Sequence, residues 1–250
     1  MMQSRHLKTA ALASTLALAA ASGAAAEGTL ALFANGEALA TEGFVAPELT
    51  RDGWEVRFDH VYVTLSGVSA LQTDPPYDAE AGGAPEVAVT VGFDAAEQMT
   101  IDLTDTGEDG RVAIGEVPAP AGHYNAIAWS VVPAESGDWA GQSMVLIGTV
   151  TRDGETVSFT LTSSETHAYT CGEYVGDARK GFVTADGAAD LELTFHLDHA
   201  FGRLDKGPDD AMNKGALGFD AFSGGGEQVI ELDGLHIGHV GEGHCAVTHS

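Results

Sequence analysis

The sequence predicts an all-β protein, a single antiparallel β-sandwich with long loops and one short helix. Glycine is abundant, with 32 residues in a chain of 250. Turn-forming sequences recur at short intervals, and hydrophobic residues alternate with polar ones instead of repeating every three or four positions. About ten short strands suit one domain of immunoglobulin-like or transthyretin-like type. We therefore predict a single domain over residues 27–250.

The first residues of the chain have the pattern of a secretory signal peptide. Arg5 and Lys8 give a positive start, residues 9–22 form an apolar run, and residues 24–26 are three alanines. The run is too short to span a bilayer, and small residues of this kind precede a cleavage site. The pattern predicts a signal peptide over residues 1–26, a periplasmic mature protein and no membrane insertion.

The clearest predicted strand covers residues 54–68, where hydrophobic and polar side chains alternate. The hydrophobic positions shift by one residue after Phe58, which predicts a β-bulge near Asp59 and His60. The same alternation predicts strands at residues 29–34, 86–93, 99–103, 124–132, 144–152, 156–162, 190–196 and 228–235.

Glycine, proline and aspartate mark the segments between these strands. Residues 152–155 (Arg-Asp-Gly-Glu) are typical of a hairpin turn, and residues 72–85 predict an exposed loop. Residues 205–222 interrupt the β pattern. Within them, residues 208–217 predict the short helix, begun by Pro208.

The chain is strongly acidic. Its formal charge is −26, and removal of Arg5 and Lys8 with the signal peptide would make it −28. Nucleic acids and anionic membranes are bound by lysine and arginine, so this charge excludes them as partners. It attracts cations, although acidity also serves simply to keep an exported protein soluble.

The histidines are clustered near the end of the chain. Nine remain after export, and six of these lie in the last 55 residues. They form two sets, His196 with His199, and His236 with His239 and His244; the sixth is His249. Because imidazole is the commonest metal-ligating side chain, the clustering predicts a transition-metal site.

The first set requires a break in the strand. The alternation places His196 on the polar face of its strand, and residues three apart on a strand point to opposite faces. His199 can therefore join His196 only if the strand ends near Leu197 and the chain turns, which residues 200–202 favour. The alternative is that His196 faces solvent and His199 lies in a loop.

The second set lies in a glycine-rich segment. Glycines at three positions within residues 235–245 predict a tightly folded loop, from which His239, Glu242 and His244 could supply ligands. The alternative is a disordered polar chain end. A zinc site needs about four donors from one or more loops. The preferred ligands are His199, His239 and His244, followed by His196 and His236.

Zinc is the favoured ion, and copper is the alternative. The three methionines beyond the N-terminus, Met99, Met144 and Met212, are far apart in the sequence, which argues against a thioether site for Cu(I). Cu(II) on imidazoles stays open. No enzyme motif is present, so we predict a non-enzymatic protein that sequesters a metal ion or delivers it to a membrane transporter or receptor.

The two cysteines, Cys171 and Cys245, predict a disulfide, because an even pair in an oxidising compartment usually forms one. Such a bond would hold the histidine-rich end beside residues 165–173 and bring His167 near His244. Cys245 directly follows His244, so a role for the cysteines as thiolate ligands stays open.

Three other histidines are weaker candidates for a metal. His60 lies at the predicted bulge and is interpreted as structural, His123 is equally compatible with a surface or a ligand position, and His249 lies next to the chain end.

Two segments resemble a group of exported bacterial β-sandwich proteins that includes the DUF4382-type domains and the MbnP-like periplasmic copper-binding proteins. They are residues 99–105 (Met-Thr-Ile-Asp-Leu-Thr-Asp) and residues 117–127, which contain Pro-Ala-Gly-His-Tyr-Asn-Ala-Ile. Residues 195–202 and 235–245 resemble segments of exported proteins suspected of metal handling. The resemblance covers a minor part of the chain. It implies a β-sandwich with a periplasmic metal role, and it transfers no copper ligand to a numbered position.

A second interpretation belongs to a different class of protein. An exported structural or adhesion-type sandwich could carry these histidines incidentally and bind its partners through exposed loops such as residues 72–85. The two interpretations differ in whether removal of metal lowers the stability of the fold.

Overall fold

The computed structural model describes residues 27–93, 98–232 and 236–249, and every structural statement below concerns these residues. The predicted signal peptide lies outside them. The chain is all-β, as predicted. Its strands are β1 (Glu27–Asn35), β2 (Glu55–Thr73), β3 (Val87–Gly92), β4 (Met99–Asp102), β5 (Val112–Pro120), β6 (Gly122–His123), β7 (Ala126–Val131), β8 (Met144–Arg152), β9 (Glu155–Ser163), β10 (His167–Cys171), β11 (Phe182–Val183), β12 (Ala188–Phe195), β13 (Gly226–Val229), β14 (Gly238–His239) and β15 (Cys245–His249).

Two sheets contribute to one hydrophobic core in a sandwich-like arrangement. The smaller sheet has the order β14-β12-β1-β5. The larger has the order β13-β9-β8-β2-β7-β10-β15, with β3 and β4 also paired to β2, and β6 pairs with β11. The prediction of a purely antiparallel sandwich is wrong. Both sheets are mixed, because β1 runs parallel to β12 in the smaller sheet and β13 runs parallel to β9 in the larger.

Strand β2 contains the predicted bulge. Its register with β8 shifts between Phe58 and His60, so that Val56 before the shift and Val61 after it are both fully buried. The Asp102 carboxylate accepts the backbone N–H of Val61 at 3.0 Å beside the bulge. The one-residue change in hydrophobic phase is therefore the mark of an irregularity that keeps hydrophobic side chains in the core.

The helices differ from the prediction. Helix α1 is Glu37–Thr41, helix α2 is Leu197–Phe201, and a single 3₁₀ turn covers Asp220–Phe222. The helix predicted at residues 208–217 is wrong, since this segment forms turns. The buried Asn213 side chain instead ties this segment to the residues before it, because its amide donates to the carbonyl groups of Arg203, Lys206 and Gly207. A side chain that binds the backbone in this way competes with helix formation.

Aromatic packing fixes helix α2 on the core. The ring of Phe201 lies 5.8 Å from that of Phe44, 6.3 Å from that of Phe58 and 5.6 Å from that of Phe219. Burial of an aromatic cluster of this kind contributes several kcal/mol. The helix is therefore held rigidly where strand β12 ends. Among the described residues, no helix has the length and apolar character needed to cross a bilayer.

Candidate metal centre

The histidines predicted as ligands lie together at the junction of β12, α2 and β14. The ring of His239 lies 4.7 Å from that of His196, 4.9 Å from that of His199 and 5.0 Å from that of His236, measured between centroids. The pairing of β14 with β12, with His239 opposite Thr194, brings the two sequence segments into contact.

The break in the strand that joins His196 to His199 is present. Strand β12 ends at Phe195 and α2 begins at Leu197, so His196 occupies the position that precedes the helix. The two imidazole rings stack with centroids 5.3 Å apart. His196 is buried, so the alternative in which it faces solvent is wrong. The polar face of β12 is covered by other parts of the chain, and alternation alone could not distinguish this from exposure.

Asp198 is a site residue that the sequence analysis did not select. One ligand atom each from His196, Asp198 and His199 lies within 4.8 Å of the other two. The residue is 5% exposed, its Oδ1 atom accepts no hydrogen bond from any residue that the structure describes, and its Oδ2 atom lies 4.0 Å from Nη1 of Arg203. A buried carboxylate oxygen without a donor is costly, so this atom is suited to a cation. The signal in the sequence is its position between two histidines.

Backbone hydrogen bonds orient two of the imidazoles. Nδ1 of His199 and Nε2 of His239 donate to the same acceptor, the carbonyl oxygen of His236, at 2.7 Å and 3.0 Å. A carbonyl can only accept, so these two nitrogens carry the protons of the neutral rings. In the neutral form of each ring, Nε2 of His199 and Nδ1 of His239 are left with the lone pairs. Metal-ligating histidines commonly donate their second nitrogen to a carbonyl in this manner.

Burial disfavours the charged forms of His236, His239 and Asp198. It lowers the pKa of His239 to about 3, with a further contribution from the charge of His196. Burial also lowers the pKa of His236 and raises that of the Asp198 carboxyl, while the charges of His199 and His196 partly oppose the change at Asp198. Neutral imidazole is the form that binds a metal ion, so His239 needs no deprotonation.

His196 differs because both of its ring nitrogens face acceptors. Nδ1 lies 3.2 Å from Oε2 of Glu37, and Nε2 lies 3.1 Å from the carbonyl oxygen of Gly241. Burial lowers the pKa of His196, but the hydrogen bond and charge of Glu37 outweigh it and raise the value to about 9. The metal-free cluster thus contains an imidazolium. Glu37 is the second residue that the sequence analysis missed, and its φ of 54° is unusual for a non-glycine residue.

His244 and His236 lie further out. The His244 side chain is 61% exposed, its Nε2 is 3.5 Å from Oε1 of Glu80, and its ring is 6.1 Å from that of His239. His236 contributes its carbonyl oxygen to the centre, and its buried Nε2 atom has no hydrogen-bond partner within the described part of the chain. The preferred set of His199, His239 and His244 therefore has its first two members at the centre and its third at the rim.

A cavity of about 370 Å³ connects the cluster to solvent. His199 and His236 line it on one side, and Asp210, Met212 and Lys214 line it on the other. Met212, which the sequence analysis treated as isolated, lies in this wall. The cavity gives an ion access to the cluster through His199 and His236.

The disulfide between Cys171 and Cys245 is present and fastens the end of the chain. The segment after it forms strand β15 in place of a disordered end. His167 lies opposite His249, with their Nδ1 atoms 2.8 Å apart. The prediction that the disulfide brings His167 near His244 is therefore wrong. The reason is the antiparallel register: His167 and His244 lie at opposite ends of the β10–β15 pair.

Two of the remaining histidines have partners outside the cluster. Nδ1 of His60 is 2.6 Å from Oδ2 of Asp102, which agrees with its interpretation as structural. The His123 ring stacks on that of Phe182 at 3.9 Å. Comparison with known proteins gives no further assignment, since no family model, curated protein or solved structure matches the chain.

Proposed function

We propose that the protein is a non-enzymatic periplasmic transition-metal-binding protein that sequesters or delivers Zn²⁺, with copper as the alternative ion. The observation that carries this proposal is the position of Asp198, a buried carboxylate with an unpaired oxygen atom between two histidines. A carboxylate in such a position costs free energy in the absence of a cation, and a bound metal ion would compensate its charge.

The donor set fits the proposed ion. His196, Asp198 and His199 place two imidazole nitrogens and one carboxylate oxygen within 4.8 Å of one another, and the His239 ring packs against both histidines. With His239 as the fourth donor, these are the ligand types that Zn²⁺ takes in four-coordinate sites. His239 already holds a lone pair because burial lowers its pKa to about 3, whereas His196 must release a proton and leave Glu37 or Gly241. Imidazole and carboxylate ligands also suit Cu²⁺, which binds nitrogen donors more strongly than zinc does.

The delivery partner is proposed to be a membrane transporter or receptor for the same ion. The exposed His244 supports a route of transfer, because it lies at the rim of the cluster next to the acidic Glu80. A ligand outside the buried centre can bind an arriving or departing ion before the inner ligands exchange.

The first test is elemental analysis of mature protein purified from the periplasm without a nickel column. About one zinc or copper ion per chain is expected. Zn²⁺ and Cu²⁺ are then titrated into the metal-free protein and into a His199→Ala/His239→Ala variant, with His60→Ala as the matched control. The double variant should lose affinity by at least about a hundredfold, and the control should bind normally. Full affinity in the double variant, or in a variant that also carries His244→Ala, would overturn the assignment.

A melting experiment separates this function from the structural or adhesion-type alternative. A bound metal ion stabilises the fold by about 2.7 kcal/mol when its free concentration is a hundred times Kd. The metal-loaded protein should therefore melt at a lower temperature after addition of a chelator. Identical melting curves with and without chelator would favour the alternative, in which the histidines have no metal role.

A further inference from the structure

A second candidate site lies on the other sheet, between the rings of Tyr62 and Trp139. Tyr62 is half-buried between the fully buried Val61 and Val63, so its side chain points away from the core. Trp139 comes from the loop between β7 and β8. The two ring centroids are 6.3 Å apart and the ring planes are inclined by 36°, which makes an open wedge. A cavity of about 240 Å³ lies there, and Asp138 forms part of its wall.

The wedge is held in place by its surroundings. The imidazole of His60 stacks on Tyr62 with centroids 5.0 Å apart and planes inclined by 15°. His60 is held in turn by Asp102, whose Oδ2 atom is 2.6 Å from Nδ1. Tyr62 also pairs within the sheet, opposite Val145 on β8 and Asp102 on β4. A ring that is already fixed, as Tyr62 is, loses little conformational entropy on binding.

The local charge favours a cation. Burial raises the pKa of the Tyr62 hydroxyl, and the negative charges of Asp102 and Asp138 raise it further, so both carboxylates act on this ring. The chain as a whole has a formal charge of −26. Aromatic faces are electron-rich and attract cations, and a surrounding negative field adds to that attraction.

Elsewhere in the protein, its own cations cover aromatic rings. The guanidinium carbon of Arg152 lies 4.0 Å from the centre of the Trp54 ring, and that of Arg111 lies 3.9 Å from the centre of the Phe33 ring. Within residues 27–93, 98–232 and 236–249, no lysine or arginine takes this position over Tyr62 or Trp139. The imidazole of His60 stacks on one face of Tyr62, and the space between the Tyr62 and Trp139 rings has no lysine or arginine of the described residues over it.

We propose that the Tyr62–Trp139 wedge binds a small organic cation with an N-methylated ammonium group, whose methyl groups contact the two rings and whose charge is balanced by Asp138. Such a group donates no hydrogen bonds, so it needs ring faces and a nearby negative charge rather than a set of acceptors. A hydroxyl-rich ligand suits the cavity less well, since the Thr100 hydroxyl in its wall is already bonded to that of Thr64 at 2.8 Å.

The test compares choline with its uncharged carbon isostere, dimethylbutanol, in titrations of the mature protein followed by calorimetry or by broadening of the ligand methyl resonance. A chelator is present throughout, so the histidine cluster contributes no metal. Choline should bind with a Kd below about 10 mM, and dimethylbutanol should bind at least about tenfold more weakly. Equal binding of the two compounds, or no binding of choline, would overturn the proposal.

Loop variants then locate the site. Trp139→Ala should weaken choline binding about tenfold, and Asp138→Asn should weaken it severalfold. The matched control is Asp153→Asn, which removes the same charge from the exposed turn between β8 and β9. Unchanged melting temperatures confirm that the variants are folded. Equal losses in the two aspartate variants would show a general effect of the acidic surface and would refute a specific site.

Discussion

Glu37 and His196 form an ion pair across two parallel strands, with Oε2 of Glu37 3.2 Å from Nδ1 of His196. Strands β1 and β12 are paired with Asn35 opposite Thr194. Glu37 follows Asn35 by two residues and His196 follows Thr194 by two residues, so both lie just beyond the same end of the strand pair. The carboxylate therefore reaches the edge of the histidine cluster from a distant part of the sequence. It stabilises a positive charge at the position where a metal ion would bind.

This ion pair predicts how the stability of the metal-free protein depends on pH. The pKa of His196 is raised to about 9 from an ordinary value of 6.5, so the stabilisation is complete below 6.5 and is lost as the pH rises through 9. The hydrogen bond from His196 lowers the pKa of Glu37. The stabilisation that the Glu37 carboxylate contributes is therefore lost only when the pH falls below the ordinary range of a carboxyl group. Because Glu37 is partly exposed, we expect a decrease of about 1–2 kcal/mol in the free energy of unfolding between pH 6.5 and 9.

Denaturant unfolding in the presence of a chelator measures this decrease, and Glu37→Gln provides the comparison. Without the carboxylate, burial leaves His196 neutral over the same range, so the difference between the two proteins should be largest near pH 6 and smallest near pH 9.5. A difference that stays constant across this range would show that the ion pair does not control the protonation of His196.

The parts of the fold that a local pattern encodes could be predicted from the sequence. The phase change after Phe58 located the bulge in β2, and alternation located β8 at Met144–Arg152. Strand β5 was missed because prolines and a glycine obscure its alternation, and β10 and β15 were missed because each is only five residues long. For such segments, pairing with neighbouring strands decides the structure instead of their own sequence pattern.

The residues of the candidate site that are clustered in the sequence could be predicted, whereas those brought in by strand pairing or helix packing could not. Clustering in the sequence selected the five histidines that the structure brings together. Glu37 could not be selected, because its contact with His196 depends on the parallel pairing of β1 with β12. Asp198 was passed over because its burial depends on how α2 packs, and the sequence shows only an acidic residue in a strongly acidic chain.

Replacement of Asp198 by asparagine should separate stability from metal binding. Burial raises the pKa of this carboxyl, so its ionised form is unfavourable in the metal-free protein. Asp198→Asn should therefore leave the free energy of unfolding unchanged or raise it by up to about 1 kcal/mol, while zinc affinity falls at least about tenfold.

The matched control is Asp153→Asn, which removes an exposed carboxylate that lies in the turn between β8 and β9 and does not belong to the cluster. It should bind zinc normally. Both quantities come from denaturant unfolding with chelator and from a competitive zinc titration. A large loss of stability in metal-free Asp198→Asn would assign the carboxylate a structural role.

Gly238 is expected to be intolerant of any side chain. A Cβ atom at this position would lie 2.7 Å from Cε1 and 2.8 Å from Cζ of Tyr169. These distances are shorter than van der Waals contact, so Gly238→Ala should displace β14 and destabilise the protein by about 1–3 kcal/mol. Because His239 follows directly, zinc affinity should decrease as well.

Gly207→Ala is the control for this substitution, since a Cβ atom there would meet open space. Its free energy of unfolding should change by no more than about 0.5 kcal/mol. Thermal or denaturant unfolding of both variants distinguishes a local clash from a general effect of replacing glycine. Normal stability of Gly238→Ala would contradict the close packing of β14 on Tyr169.

The disulfide is expected to support the cluster without supplying a ligand. Cys171 and Cys245 are 74 residues apart, so replacement of both by serine should lower the free energy of unfolding by about 2–4 kcal/mol. The segment from Gly238 to His244 is fastened at its far end by this bond, and a looser segment should bind zinc more weakly. If the cysteines were thiolate ligands instead, reduction of the wild-type protein would increase zinc affinity, and zinc would protect the thiols from alkylation. We expect the opposite results: a thiol assay of the unreduced, metal-loaded protein should detect no thiols, and reduction should weaken zinc binding.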